Sequence, residues 1–443
     1  MPTPRPDRPS LEEINASVKV PSAYETGFLQ KFLAYSGPGA LVAVGYMDPG
    51  NWLTSLAGGR QFRYTLLAVL WLAIVVAMFM QALAIKLGVV SRLDLAQAIA
   101  ARVPKPGRIL LWLLNEVAMM ATDLTGVLGT AIALKLLFGL PLLFGILLTI
   151  LDVLVVLVFL RFGIRRIEFI VLTAILTVGV IFGLEVIRAH PHLGAIAAGL
   201  VPTPRLVTNH SELVLSLGIL GATIMPHNLY LHSSLAQSRR YDYHDPHQVN
   251  EALRFARWDS DVHLVAALII NALLLILGGT LFWHTAGHLA SLQDVYLGLK
   301  DSAVVGALAS PVMSWLFAFA LLITGLISSI TSTLSGQIVM EGYLHIRLPL
   351  WQRRLLTRAV TLVPILLVGW WVGFQDQAFE QMIVYAQIAL SIALPFTLFP
   401  LIRLTSDDTL MGPHVNHRGT QLLGYALAGV ITVLNLELIG SLF

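Results

Sequence analysis

Residues 37–58 read Gly-Pro-Gly-Ala-Leu-Val-Ala-Val-Gly-Tyr-Met-Asp-Pro-Gly-Asn-Trp-Leu-Thr-Ser-Leu-Ala-Gly, an apolar stretch with turn chemistry at its centre. About 20 apolar residues are needed for a helix to cross the hydrocarbon core of a bilayer, and the block near 33–58 is long enough. Yet Asp48-Pro49-Gly50-Asn51 falls mid-span. Proline lacks an amide hydrogen, glycine is flexible, and aspartate and asparagine favour turns. The tetrapeptide therefore predicts an unwound segment with freed carbonyls. At membrane depth such backbone is tolerated only where it is buried in protein or lines a water-filled cavity.

The rest of the chain supports a membrane setting. Of its 443 residues, 56% are hydrophobic and 12% charged, whereas about a quarter of a soluble domain is charged. The apolar residues come in long blocks: near 33–58, 65–90, 109–134, 141–161 and 168–189, then near 212–236, 260–284, 311–341, 354–374, 378–402 and 420–442. Eleven spans put the termini on opposite sides. With the N-terminus inside, most of the 28 basic residues fall on inner segments, among them Arg5, Arg8, Lys31, Arg161, Arg165, Arg239, Arg353 and Arg354, as the positive-inside rule requires. Residues 1–31 are polar and proline-spotted, which predicts a short cytosolic tail and not a signal peptide. Cysteine is absent, which removes disulfides, thiolate ligands and cysteine nucleophiles together.

A second interruption lies in the sixth span, at Ala222-Thr223-Ile224-Met225-Pro226-His227. Spans one and six are corresponding members of two five-span sets. Paired interruptions at matching positions point to a transporter site near the midplane. An intramembrane carboxylate is costly and marks function by default. Asp48 supplies a hard anionic oxygen, Asn51 a neutral one, and freed carbonyls such as that of Ala222 can add more. Any divalent cation would suit that oxygen set. Met225 narrows it, because a thioether suits first-row and softer metals while magnesium and calcium prefer oxygen.

At these residues the sequence resembles the Nramp family of metal-ion transporters. The matching strings are GPGALVAVGYMDPGN at 37–51, GATIMPHNLYLHSSL at 221–235, SGQIVMEGY at 335–343, MATD at 120–123 and PLWQRR at 349–354. The resemblance implies an all-α LeuT-type fold of two inverted five-helix repeats. These would be residues 32–190 and 212–403, joined by an outer loop at 191–211 and followed by an inner loop and eleventh helix at 404–443. It implies proton-coupled import of manganese or ferrous iron across the bacterial cell membrane. The metal ions and protons would be substrates, with no resident cofactor and no nucleic-acid or obligatory protein partner. The metal ligands would be Asp48, Asn51, the Ala222 carbonyl and Met225, joined in some conformations by Gln387. Manganese and iron differ little to this set, and cadmium should pass.

Proton coupling needs groups that change charge. Burial without a cation favours a neutral carboxylate and an arriving cation favours the ionised one, so Asp48 itself links the two ions. Glu116 and Asp123 lie two helical turns apart on the third span and share a face. Arg353 and Arg354, at the inner end of the ninth, are placed to pair with them, and the resemblance implies a proton exit there. His227 is a candidate proton carrier. His232 lies about 140° round the helix from it and is the weaker candidate. Two positions depart from the family: Gly126 replaces a glutamate of its proton path, and Arg63 replaces a glycine in the loop after span one. Gly126 keeps open a loosely coupled or uncoupled uniporter. A channel would build its filter from repeated elements, and DPGN and MPH are not alike. An organic zwitterion does not suit carboxylate and thioether, and no nucleophile accompanies Asp48 and His227 to make an enzyme.

Overall fold

The computed structural model describes residues 10–21, 27–154, 158, 163–283, 291–305 and 309–440. Arg5, Arg8 and Arg161, and much of the far end of the fourth expected span, lie outside the described residues.

Among the described residues, nine helices are long and apolar enough to cross a membrane. The first and fourth spans complete eleven. The first is missing from the nine because it is broken into Phe28–Tyr35, Pro38–Gly45 and Pro49–Phe62. The fourth is described only as the short apolar stretch Leu142–Leu154. Each five-span set opens on its interrupted helix, and span three (Lys105–Phe138) packs along its counterpart, span eight (Pro311–Leu344). Their approach is close: a Cβ on Gly325 would meet Thr130 Oγ1 at 2.5 Å.

The interrupted helices occupy the centre. Every residue of Pro38–Gly45 and of Pro226–Leu235 is buried. At the periphery large apolar side chains are exposed, notably on spans five and nine, as a surface solvated by lipid requires. Trp370 and Trp371, 87% and 90% exposed near the end of span nine, suit the membrane interface.

Span one has a second break, at Ser36-Gly37, where Gly37 takes φ 139°. The amides of Gly37 and Gly39 donate to Asp259 Oδ1 and Oδ2 of span seven at 3.0 and 2.7 Å. A distant carboxylate thus meets the orphan amides that a helix start leaves. Residues 10–21 of the expected cytosolic tail pack on the bundle. Val18–Lys19 (β1) pairs in parallel with Arg239–Arg240 (β2), and Leu11 and Ile14 are buried. Leu11 N donates to Glu341 Oε2 at 3.0 Å. Two buried apolar side chains and these backbone bonds dock a segment that is polar on average. The face carrying it is here termed the tail face.

Candidate functional site

The two breaks have the same cause. In a continuing helix the Gly45 carbonyl would accept from residue 49 and that of Ala222 from residue 226, and both are prolines. After the first break Asp48 is extended (φ −68°, ψ 165°) and caps helix Pro49–Phe62, its Oδ1 accepting from Asn51 N at 2.8 Å. After the second, Ile224 and Met225 are extended before helix Pro226–Leu235 starts. Helix start and helix end thus meet the site as open backbone ends.

Asp48 is fully buried and collects four donors. Besides the Asn51 amide, Oδ1 accepts from Asn51 Nδ2 at 2.8 Å, and Oδ2 accepts from Thr125 Oγ1 and Gln387 Nε2, each at 3.2 Å. Spans one, three and ten therefore converge on one carboxylate. The approach of Gln387 depends on Gly50, where a Cβ would overlap the Gln387 amide. Span ten also presses on span six, since a Cβ on Gly221 would fall 2.5 Å from Ser391 Oγ. Met225 and Ala222 are fully buried at the second break. Gln387 Oε1 is buried without a partner. Among the described residues no group of three or more His, Cys, Asp or Glu gathers as a metal cage. A cation here must take mixed carboxylate, amide, carbonyl and thioether donors.

A cavity of about 290 Å³ touches this site, lined by Gly50, Leu53, Ala57, Gly218, Gln387 and Ser391 among others. Its walls are the second half of span one, the first half of span six and the first half of span ten, the halves remote from the tail face. On the tail face, ion pairs join the first span to its neighbours. Arg239 Nη1 and Nη2 donate to Glu168 Oε1 and Oε2 at 2.6 and 3.0 Å, and Nη2 also donates to the Ser36 carbonyl at 2.6 Å. Lys31 pairs with Glu251 at 2.7 Å.

The two histidines part company. His227 Nδ1 lies 3.2 Å from Thr122 Oγ1 of span three. His232 Nδ1 donates to Gln81 Oε1 of span two at 2.9 Å, and Gln81 Nε2 donates to the Tyr46 hydroxyl at 2.9 Å. Both are fully buried with Nε2 unpartnered.

Both arginines meet the carboxylates of span three. Arg353 Nη2 donates to Glu116 Oε1 and Oε2 at 2.5 and 2.6 Å, and Arg354 pairs with Asp123. Asp152 and Arg358 also belong to this cluster. Asp152 of span four accepts from Arg354 Nη2 at 2.6 Å and pairs with Arg358, which also lies 3.5 Å from Asp123 Oδ2. A signal for them existed. Arg354 and Arg358 are four apart on one helix face, and a carboxylate in span four demands a partner. Gly126 borders this cluster: a Cβ there would stand 3.4 Å from Ser329 Oγ, which accepts from Arg358 Nη2 at 3.2 Å. Glu185 is buried in span five with neither oxygen partnered. Asn271 donates to the Tyr46 carbonyl at 2.6 Å, and His244 and His247 are exposed.

Arg63 stands at φ 55°, ψ −111°, a conformation natural to glycine. Its guanidinium lies 5.2 Å over the Tyr64 ring.

Comparison with known proteins agrees with this architecture. The family model described as Natural resistance-associated macrophage protein-like (Nramp) matches residues 39–441. A divalent metal cation transporter MntH of Latilactobacillus sakei is 46% identical over 433 residues, 98% of this chain and 94% of that one. The MntH of Staphylococcus haemolyticus is 46% identical over 435 residues, 98% and 97% of the two chains. The crystal structure of the Eremococcus coleocola manganese transporter, in complex with an aromatic bis-isothiourea substituted compound, superposes with a TM-score of 0.93 at 42% identity, covering 98% of this chain and 91% of that one. MhsT in complex with L-phenylalanine, at 15% identity and TM-score 0.54 over 92% and 98% of the chains, shares the fold alone. The fold is of the LeuT type, two inverted five-helix repeats with an eleventh helix. The chain belongs to the Nramp family of multi-pass membrane proteins.

Proposed function

We propose that this chain carries divalent transition-metal ions, manganese and ferrous iron foremost, across the membrane by alternating access, in symport with protons. One observation carries the reading: two proline-made breaks bring a buried carboxylate, its amide partners, a carbonyl stripped of its helical donor and a buried thioether to the centre of the bundle. The relatives named divalent metal cation transporters support the cation, and the thioether supports a transition metal over calcium. Cadmium, softer still, should pass.

The tail face is the cytosolic side in this reading, since most basic residues lie towards it. The cavity beside Gln387 then serves entry from outside, while Arg239, Glu168 and Lys31 hold the inner side shut. A cation arriving against Asp48 favours its ionised form and displaces a proton, and His227 beside Thr122 is placed to receive it. Glu116, Asp123, Arg353 and Arg354 form the onward route, with His232 a lesser branch. Uncoupled metal transport by the same fold is the second reading, favoured by Gly126.

Manganese uptake into proteoliposomes, with and without excess calcium and with an internal pH dye, tests all of this. Wild type should import manganese and acidify the lumen, and Asp48→Ala should do neither. Met225→Ala should let calcium compete on the order of tenfold better. Unchanged selectivity in Met225→Ala would reduce the thioether to packing, and uptake without acidification would leave the uniporter.

A further inference from the structure

Asn228 has no role in the site described so far, yet it is the most conspicuous unmet polar group near it. It is the third residue of helix Pro226–Leu235 and fully buried, and neither Oδ1 nor Nδ2 has a hydrogen-bond partner. A buried amide normally finds at least one partner, and one with none is costly. A leucine has the same branching and the same number of heavy atoms without that cost, though it is bulkier.

Its surroundings suggest what the amide waits for. The side chain occupies the notch left by Gly45, where a Cβ would overlap the Asn228 amide and lie 2.8 Å from its Cγ. Gly45 ends helix Pro38–Gly45, and Pro49 deprives its carbonyl of a helical donor. That carbonyl keeps one long bond, from Asn51 Nδ2 at 3.4 Å. An unpartnered amide and an under-used carbonyl therefore meet at one seam between the two interrupted helices. The seam joins the tail-face half of span one to the tail-face half of span six, three residues from Asp48 and from Met225 along the chain.

We propose that Asn228 is a transient ligand of the transported ion. Its side-chain oxygen, with the Gly45 carbonyl, takes a partly hydrated divalent cation as it leaves the Asp48–Met225 site for the tail face. The inference rests on the transport reading above. It assigns oxygen donors to the exit, which suits hand-over: a hydrated cation held by neutral oxygens is held more weakly than one against a carboxylate and a thioether. The polar group is kept, at a cost to stability, because it acts in a state other than the one described here.

The test compares wild type with Asn228→Leu, Asn228→Ala and Asn228→Ser. Manganese affinity is measured in detergent by calorimetry, thermal stability by unfolding midpoint, and manganese uptake in proteoliposomes. Asn228→Leu should bind manganese within about twofold of wild type and unfold no earlier, while its maximal uptake rate falls on the order of tenfold. Asn228→Ala removes the same oxygen without adding bulk, so misfolding of one variant leaves the other to decide. Asn228→Ser, which keeps a small oxygen donor, should recover part of the rate. Wild-type uptake in both Asn228→Leu and Asn228→Ala would overturn the inference and make the amide a packing group or the host of a fixed water. Affinity and uptake falling together would also overturn it, by placing Asn228 in the resting site. No manganese uptake by wild type would overturn the transport reading itself, and this inference with it.

Discussion

Two polar regions lie inside the bundle, and they are built on opposite plans. Around the breaks, groups are left short: Gln387 Oε1, His227 Nε2 and both amide atoms of Asn228 lack partners, and two carbonyls have lost their helical donors to proline. Between spans three, four and nine, groups are shared. Asp123 and Asp152 each meet both Arg354 and Arg358, two positive charges against two negative. A region with unmet donors and acceptors is arranged for a partner from outside the protein. The second region is balanced in charge but not in hydrogen bonds: Asp123 Oδ2, Asp152 Oδ1 and Arg358 Nη1 also lack partners, so what sets it apart is that each charge faces opposite charges within the protein.

The largest expected effect breaks the comparison at the first region. Asp48→Ala removes the one charge at the breaks and should lower manganese uptake by at least about 100-fold, beyond the usual cost of losing a supporting group near a metal. Its effect on folding should be modest: about 1 kcal/mol for the lost cap of helix Pro49–Phe62, plus about 1–3 kcal/mol for the Gln387 donor left unmet. Uptake and unfolding midpoint measured on one preparation separate the two. A large loss of stability with uptake retained would mean that Asp48 is structural.

The second region should behave the other way. Asp152→Ala leaves two buried guanidinium groups against Asp123 alone, and breaking such a pair costs about 3–5 kcal/mol. Asp152→Leu combined with Arg358→Leu removes one charge of each sign and should recover much of that loss. A double-mutant cycle on unfolding free energy reads the coupling directly. Additive effects would mean that the four charges do not act as a unit.

What the sequence disclosed, and what it hid, follows the same divide. The breaks were visible because their causes are local: Pro49 and Pro226 act within one turn, and Asp48 and Asn51 stand at the three-residue spacing of a helix cap. Gln387, by contrast, was found through resemblance, and its bond to Asp48 spans 339 positions. The partners of Asp152 were likewise hidden, because its arginines lie more than 200 positions away. Ser36-Gly37-Pro38-Gly39 was also turn chemistry, overlooked because Asp48-Pro49-Gly50-Asn51 already supplied a break in that span. The docking of residues 10–21 rests on Leu11 and Ile14, two side chains that averaging over a polar tail conceals.

Gly126→Glu sharpens the comparison instead of breaking it. The position has room for a Cβ at ordinary contact distance, and a longer side chain reaches towards Ser329 and Arg358. A third carboxylate beside two arginines would hold a proton more readily, since the nearby positive charge is already matched. Lumen acidification per manganese should rise, with uptake changed by less than about tenfold. An unchanged ratio, followed by pH dye and manganese together, would remove this cluster from the proton route.

The smallest effect lies outside both regions and serves as their control. Arg63 holds a backbone conformation that costs a non-glycine residue about 1–3 kcal/mol. Against this stand the contact of its half-buried guanidinium with the buried Tyr64 ring, about 0.5–2 kcal/mol, and the unfolded-state entropy that a glycine adds, about 0.4–1 kcal/mol. These nearly cancel at both ends of their ranges. Arg63→Gly should therefore leave the unfolding midpoint nearly unchanged, with manganese uptake as in wild type. A lower midpoint would show that the guanidinium does more for the fold than its stacking accounts for. A changed uptake at equal stability would instead make this arginine part of the path by which the cation reaches the cavity beside Gln387.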